Sequence, residues 1–206
     1  GAILGCAAMT AYGAVRRGAD LRHGESVAVV ATGGVGSNII QISRAFGAKQ
    51  VIAIDVADDK LEAARALGAT DTVNSTKQDV HETVFALTGR RGVDVAFEAL
   101  GRPQTWTSAL DALRDGGRMV PIGLGAGVQT AQVEINRTVR RSQSIIGSYG
   151  ARTRQDLPEV VRLAAEGTIR YQDIVTRRFA LEDVAQGYEL LRQGAVQGRG
   201  VVDMSL

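Results

Sequence analysis

The sequence predicts an α/β fold in which a parallel sheet of about six strands carries helices on both faces. From Glu25 onward, short runs rich in valine and isoleucine alternate with helical stretches, a pattern typical of parallel strands joined by crossover helices. The chain has 206 residues, is 45% hydrophobic and contains no apolar run of eighteen residues. We therefore expect a soluble globular chain that buries a substantial core.

The first half of the sheet is predicted from three strands, expected over residues 26–31, 51–55 and 70–74. The helix between the first two is indicated by apolar residues at i, i+4, i+7 and i+11, namely Val35, Ile39, Ile42 and Phe46. The helix after the second strand is marked by Leu61, Ala64 and Leu67. Gly47 and Gly68 are expected to end these two helices.

The second half of the sheet is predicted from strands over residues 93–100, 117–123 and 144–148. Ser75 and Gln78 form a possible capping box for a helix over about 76–87, and another helix is expected over about 104–114. Beyond the sheet we expect a helix near 155–166, a short strand near 173–176, a helix near 181–193 and a last strand near 200–205.

A glycine-rich turn, ATGGVG over residues 31–36, joins the first strand to its helix. A dinucleotide fingerprint requires glycine at positions 31, 33 and 36, and here the first is alanine. Gly33 and Gly36 keep the roles closest to the ligand, which are backbone approach to a pyrophosphate and helix–strand packing. Candidate contacts to phosphate at the helix N-terminus are therefore Thr32, Gly33, Gly34 and Gly36. The alternative is an ordinary strand-to-helix turn.

An acid at the end of the second strand supports a Rossmann-type nucleotide site. Asp55 follows Gly36 by nineteen residues, where a carboxylate can hydrogen-bond the ribose of an adenosine and repel a 2′-phosphate. NAD is thus favoured over NADP. Asp55 is otherwise a solvated turn residue comparable to Asp58 and Asp59, and S-adenosylmethionine methyltransferases also place an acid here.

Charge and cysteine content narrow the remaining classes. Twenty-four basic residues are scattered among 22 acidic ones, and the densest basic cluster (Arg137, Arg140 and Arg141) lacks interleaved aromatic residues. We therefore expect neither nucleic acid nor a membrane as partner. A single cysteine and no recognisable signal peptide favour the cytoplasm. The first residue, Gly1, lies in an apolar segment, which suggests a fragment.

Four segments, in order and at similar spacing, resemble the zinc-containing alcohol dehydrogenases of the medium-chain dehydrogenase/reductase family. They are GCAAMTAYGAV, VAVVATGGVG, VIAIDVADDKLEAARALGATDTVN and GVDVAFEALGR. The likeness runs from Gly5 to about Gly125 and resumes in GRGVV near the C-terminus. It implies an NAD-dependent oxidoreductase that transfers hydride between an alcohol and an aldehyde or ketone, with a catalytic zinc.

In that family the cysteine that matches Cys6 is one of three protein ligands of the zinc. The other two, usually a cysteine and a histidine or glutamate, are expected in a substrate domain before Gly1, because His23 and His81 are isolated. This chain alone is therefore expected to be inactive and to hold zinc weakly. The alternative is that Cys6 is a small buried hydrophobic residue at a helix start.

The resemblance also implies roles toward the cofactor. Thr10 and Val35 match residues against the nicotinamide, Asp55 and Lys60 match residues that contact the adenosine ribose, and Arg199 matches an arginine on the pyrophosphate. Leu100, Gly101 and Arg102 match a loop beside the cofactor. The residues expected to edge the nicotinamide pocket are Gly123, Leu124, Ser148 and Tyr149.

Two alternatives and two further expectations remain. Ala31 is similar to the residue of zinc-free quinone reductases, although Cys6 and Asp55 argue against that class, and a non-catalytic NAD-binding module is also compatible. Residues 1–150 are expected to form the dinucleotide-binding domain, and residues 151–206 a last helix and a C-terminal segment that partly rims the missing catalytic domain. Relatives pair sheet edges, so residues 128–146 are expected to support a homodimer or homotetramer.

Overall fold

Six parallel strands form the central sheet of the computed structural model, which describes residues 2–196 and 198–206. In chain order they are β1 (Ser26–Val30), β2 (Gln50–Asp55), β3 (Asp71–Asn74), β4 (Val93–Glu98), β5 (Leu113–Pro121) and β6 (Ser144–Ile145). Their order across the sheet is β3-β2-β1-β4-β5-β6, and each adjacent pair is parallel. The predicted α/β fold is confirmed, with the strand order of a doubly wound nucleotide-binding sheet.

The helices of the described chain are α1 (Met9–Gly13), α2 (Gly34–Ala45), α3 (Asp58–Ala66), α4 (Val80–Leu87), α5 (Pro103–Ala112), α6 (Ile135–Arg140), α7 (Thr153–Ala165), α8 (Tyr171–Ile174) and α9 (Val184–Arg192). Helices α1, α2 and α7 cover one face of the sheet, and α4 and α5 cover the other. Two π-helical turns, Leu4–Ala8 and Ala14–Gly18, extend α1 at its ends, and a 3₁₀ turn, Leu181–Asp183, precedes α9. In the described part of the chain, no helix is long and apolar enough to cross a bilayer.

Successive residues of the central strands enter two different cores, because side chains alternate across a strand. In β1, Val27 and Val29 belong to the core beneath α1, α2 and α7, whereas Ala28 and Val30 belong to the core beneath α4 and α5. Both faces of the sheet are therefore buried. This explains why these strands are continuous apolar runs in the sequence.

The chain after residue 150 divides between this core and a separate small sheet. Val160 and Leu163 of α7 are buried in the first core, together with Ile169 and Ile174. Strands β7 (Val175–Phe179) and β8 (Arg199–Val202) pair in parallel apart from the central sheet, and α9 has no buried residue. The C-terminal segment thus contributes both to the first core and to a separate two-stranded sheet.

Several element boundaries differ from those predicted; β6, for example, ends at Ile145 instead of residue 148. The capping box at Ser75 and Gln78 is wrong, because α4 begins only at Val80 and its cap is Asp79, whose carboxylate accepts a hydrogen bond from the Glu82 N–H at 2.8 Å. The fourth strand ends at Glu98 instead of residue 100. The fifth begins before Gly117, with an irregular register near its start, and the predicted strand 173–176 is half helix, α8, before β7.

Candidate functional site

The glycine turn connects β1 to α2 at the carboxyl edge of the sheet. Ala31 has φ of 71°, in the left-handed region that usually selects glycine. A Cβ on Gly36 would lie 2.1 Å from the Ala31 carbonyl oxygen, so only glycine fits there. A Cβ on Gly33 would meet nothing within 4 Å, which leaves open space before the N-terminus of α2. The first N–H groups of a helix lack partners within it, so this space suits an anion.

Asp55 is bonded directly to the glycine turn. Its Oδ2 accepts hydrogen bonds from the Thr32 N–H at 2.8 Å and the Thr32 hydroxyl at 3.1 Å, and its Oδ1 accepts from the Val56 N–H at 2.8 Å. The residue is only 8% exposed. The Ala57 N–H is a fourth donor, 3.4 Å from Oδ1, and this bond is the longest of the four. The carboxylate is therefore fixed in orientation beside the turn.

A second pair of loops follows β4 and β5 at the same edge. The Glu98 carboxylate accepts hydrogen bonds from the N–H groups of Leu100 and Gly101, both at 2.8 Å. A Cβ on Gly101 would lie 2.4 Å from the Gly125 nitrogen, and one on Gly123 would lie 2.2 Å from the Gly101 nitrogen. The two loops therefore pack backbone against backbone, which only glycines permit.

A groove of about 480 Å³ lies between the glycine turn and the loop after β4. It opens where β1 separates the half-sheet containing β2 and β3 from the half containing β4 to β6, which is the topological switch point of such sheets. Residues that line it include Gly33, Asp55, Val56, Lys60, Leu100 and Arg102. Five of these six are predicted cofactor contacts.

Arg199, at the start of β8, lies against the glycine turn from the far end of the chain. A Cβ on Gly34 would lie 2.2 Å from its Nε atom, so the side chain passes directly over the Gly34 backbone. A guanidinium in this position adds positive charge next to the N-terminus of α2. Arg199, predicted to contact the pyrophosphate of a cofactor, thus lies next to the glycine turn.

The helical segment that contains Cys6 and Thr10 packs on α2 and α7. Cys6 is exposed and Thr10 is half-buried. A Cβ on Gly13 would lie 2.6 Å from the Gly150 carbonyl oxygen. Arg17 donates two hydrogen bonds of 2.5 Å to Asp156, and this guanidinium lowers the pKa of the Asp156 carboxyl. Across residues 2–196 and 198–206, no group of three or more His, Cys, Asp and Glu side chains could hold a metal ion.

The remaining predicted pocket residues follow β5 and β6. Gly123 donates its N–H to the Glu98 carbonyl at 3.0 Å, and Ser148 donates its N–H to the Pro121 carbonyl at 3.0 Å. Leu124 and Tyr149 are exposed, at 76% and 89%. Val35 is half-buried and packs against the first core. The structure thus places the two loops at the carboxyl edge, with two side chains in solvent.

Several residues of this site were not predicted from the sequence, among them Val56 and Glu98. Val56 is 60% exposed and lines the same groove as Leu100, which is 42% exposed. An apolar residue directly after a strand-terminal acid is the only signal for it. Glu98 is fully buried. The feature of the sequence that could have identified it is an acidic residue at the end of an apolar strand.

Comparisons with known proteins agree with this geometry. A family model described as zinc-binding dehydrogenase matches residues 34–166. An S-(hydroxymethyl)glutathione dehydrogenase from Synechocystis is 34% identical over 196 residues, which cover 93% of this chain and 53% of that protein. An L-threonine 3-dehydrogenase from Bacillus licheniformis is 33% identical over 83% of this chain and 49% of its own length. The chain therefore spans about half the length of these relatives.

Solved structures give the same result. Benzyl alcohol dehydrogenase from Acinetobacter calcoaceticus superposes with a TM-score of 0.91 at 27% identity, covering 97% of this chain and 55% of that chain. The alcohol dehydrogenase from Aeropyrum pernix superposes at 0.86 and 32% identity, covering 98% and 56%. Sequence, fold and edge geometry agree, and the chain belongs to the zinc-binding dehydrogenase family.

Proposed function

We propose that this chain is the NAD-binding half of an oxidoreductase that transfers hydride between an alcohol and an aldehyde or ketone. The observation that carries the proposal is the hydrogen-bonded unit of Thr32 and Asp55, because it connects the open space at Gly33 to a carboxylate that can accept from a ribose hydroxyl. When bound, the nicotinamide supplies the hydride chemistry itself. The residues of this chain bind, orient and shield it.

The phosphates of the dinucleotide are assigned to the N-terminus of α2. The open space at Gly33 admits them, and the Arg199 guanidinium over Gly34 supplies a compensating charge. Lys60 lines the same groove and can reach a ribose hydroxyl or a phosphate oxygen. These contacts bind the part of the cofactor that does not react, and they fix its position in the groove.

The adenosine is assigned to the groove between Val56 and Leu100. Both side chains are apolar and exposed, and they line the same groove as Asp55 and Arg102, so a planar base can be covered on its two faces. Asp55 accepts from the ribose hydroxyls through Oδ1. Its negative charge, held in place by four protein donors, disfavours a 2′-phosphate and so favours NAD over NADP.

The nicotinamide is assigned to the edge between α1 and the loops after β5 and β6. Thr10 and Val35 are proposed to lie against the ring. A Cβ on Gly13, the last residue of α1, would lie 2.6 Å from the Gly150 carbonyl oxygen, and one on Gly18, in the π-helical turn that follows, would lie 3.2 Å from the Ser148 Cβ atom. The end of α1 and this turn therefore meet the loop after β6. The proposed rim is completed by Gly123, Leu124, Ser148 and Tyr149.

Cys6 is proposed as one ligand of a catalytic zinc, as the family resemblance implies. A catalytic zinc needs three protein ligands, and the described residues contain no group of three or more His, Cys, Asp and Glu side chains that could hold a metal ion. In a full-length protein that supplies them, we expect Cys6→Ala to abolish turnover and leave NAD affinity within about threefold. Equal loss of turnover and NAD binding would contradict this role.

Substrate and assembly are proposed only by class. Relatives named for S-(hydroxymethyl)glutathione and for L-threonine match this half at 34% and 33% identity, which indicates that the cofactor half does not select the substrate. We propose an alcohol or carbonyl substrate. We also propose a homodimer or homotetramer, because β6 is an edge strand and Val128, Ile135 and Val139 nearby are exposed.

Calorimetric titration of NAD into the purified chain tests the nucleotide proposal. We expect saturable heat with NAD and an affinity for NADP at least about tenfold weaker, because Asp55 repels the extra phosphate. Circular dichroism on the same sample establishes that the protein is folded. Absence of heat at millimolar NAD with folded protein would overturn the proposal.

A further inference from the structure

Glu98 is the last residue of β4, and its carboxyl group is fully buried. Its Oε1 accepts three hydrogen bonds, from the Leu100 N–H and the Gly101 N–H at 2.8 Å and from the Thr105 hydroxyl at 2.7 Å. Its Oε2 has no hydrogen-bond partner among the residues that the structure describes. A half-satisfied buried carboxyl is costly, so its presence calls for a role beyond stability.

The groups bound by Glu98 belong to the wall of the groove. Leu100 and Thr105 line it, and Leu100 is held there through its own N–H. The Glu98 main-chain oxygen accepts from the N–H groups of Ile122 at 2.8 Å and Gly123 at 3.0 Å. One residue therefore fixes the loop after β4 with its side chain and the loop after β5 with its backbone.

The two loops cannot move independently. Gly101 has φ of +83°, and a Cβ there would lie 2.4 Å from the Gly125 nitrogen; a Cβ on Gly123 would lie 2.3 Å from the Leu100 nitrogen. Backbone in contact with backbone has no flexible side chain to absorb a displacement. A shift of the loop after β4 is therefore transmitted to the loop after β5.

We propose that Glu98 is a positioning residue for the dinucleotide: its carboxylate sets the loop of Leu100 to Arg102 and, through backbone contact, the loop of Gly123 to Gly125. This inference rests on the proposed function, which places the adenosine beside the first loop and the nicotinamide beside the second. Glu98 itself does not contact the cofactor. It acts through its Oε1 atom, which accepts hydrogen bonds from Leu100, Gly101 and Thr105 and so fixes the position of these three residues.

Two substitutions at Glu98 distinguish the loss of its hydrogen-bond acceptor from a change in the shape of its side chain. Glu98→Gln keeps an oxygen acceptor for all three donors, so NAD affinity is expected to stay within about threefold. Glu98→Met has a similar length and no comparable acceptor, so the loops lose their fixed point and affinity is expected to fall about tenfold or more. If the methionine variant fails to fold, Glu98→Asp, which is one methylene shorter, replaces it with the same expected loss.

Val84→Ala is the matched control. Val84 is fully buried in α4 and does not line the groove, so its truncation lowers the melting temperature without touching the loops. Its NAD affinity is expected to equal that of the wild type. Loss of affinity in the control would show that the effect at Glu98 reflects stability alone and would overturn the proposal.

Amide chemical shifts provide a readout that needs no nucleotide. The resonances of Gly101 and Gly125 are expected to move in Glu98→Met and to stay near their wild-type positions in Glu98→Gln and Val84→Ala. The proposal is overturned if folded Glu98→Met binds NAD normally, if Glu98→Gln loses as much affinity as Glu98→Met, or if the Gly125 resonance does not respond. Failure of the wild type itself to bind NAD instead refutes the proposed function, and the shifts still report whether Glu98 holds the loops.

Discussion

Ala31 occupies the left-handed backbone region at the first position of the glycine turn, with φ of 71°. A Cβ in this conformation costs about 1–2 kcal/mol, partly offset because glycine loses more entropy on folding. Ala31→Gly is therefore expected to raise the free energy of unfolding by about 0.5–1 kcal/mol, measured by urea denaturation. Ala63→Gly, at an exposed position inside α3, is expected to lower it by about 1 kcal/mol. A lower free energy of unfolding in Ala31→Gly than in the wild type would contradict backbone strain at Ala31.

Asp55 is hydrogen-bonded to the glycine turn, and its carboxylate is the proposed contact to the ribose. In Asp55→Asn, one of the two oxygens becomes an NH₂ group that faces the N–H donors of Thr32 or Val56. We expect NAD affinity to fall about tenfold and the preference for NAD over NADP to narrow, both measured by calorimetry. Glu62→Gln, an exposed carboxylate in α3, carries the same charge change and is expected to have no effect. Unchanged NAD affinity in Asp55→Asn would contradict the proposal that Asp55 contacts the adenosine ribose.

At the scale of elements, Asp94 joins three strands at the amino end of the sheet. Its Oδ2 accepts from the Ser26 N–H and hydroxyl of β1, both at 2.7 Å, and its Oδ1 accepts from Arg114 of β5 at 2.5 Å. Burial alone would raise the pKa of Asp94, but these Ser26 and Arg114 hydrogen bonds lower it to about 2. A carboxyl with a depressed folded-state pKa stabilises the fold above its unfolded pKa and loses this contribution as the pH falls through its folded pKa.

Asp94→Asn is therefore expected to cost about 2 kcal/mol of unfolding free energy at pH 7, with the cost shrinking between about pH 4 and pH 2. Urea denaturation of both proteins across this pH range measures the difference. Asp20→Asn, an exposed carboxylate whose ion pair with Arg16 spans 3.9 Å, serves as the control and is expected to be nearly neutral throughout. A pH-independent difference for Asp94→Asn would contradict the linkage.

Elements with a strong periodic pattern were predictable, and their ends were not. The alternation of buried strands with the Val35–Ile39–Ile42 stripe determines a doubly wound sheet because both faces must be covered. The start of α4 was mispredicted because Ser75 and Asp79 are both competent caps, and the sequence does not show which one the chain geometry selects. The fourth strand ends early because the Glu98 side chain accepts hydrogen bonds from the Leu100 and Gly101 N–H groups. Such a contact leaves no periodic pattern in the sequence, so it could not be predicted.

At the scale of the whole molecule, the candidate site combines residues from both ends of the chain. Local motifs identify the glycine turn and Asp55, since these lie in one strand–helix–strand unit. Arg199 was predictable only through the family resemblance, because a single arginine in β8 carries no pattern. Its position over Gly34 depends on how the small sheet of β7 and β8 folds back toward α2, which is a property of the complete fold.

This long-range contact makes a prediction about the whole molecule. Arg199→Met removes the charge over Gly34 and keeps much of the side-chain volume, so NAD affinity is expected to fall about tenfold. Adenosine carries no phosphate, and its affinity is expected to stay within about twofold. Arg192→Met, which changes an exposed arginine of α9, is the control for the loss of one positive charge and should leave both affinities unchanged. Calorimetry with NAD and adenosine on the three proteins measures this. An equal loss for both ligands in Arg199→Met would mean that Arg199 supports the fold of the turn and does not bind the pyrophosphate.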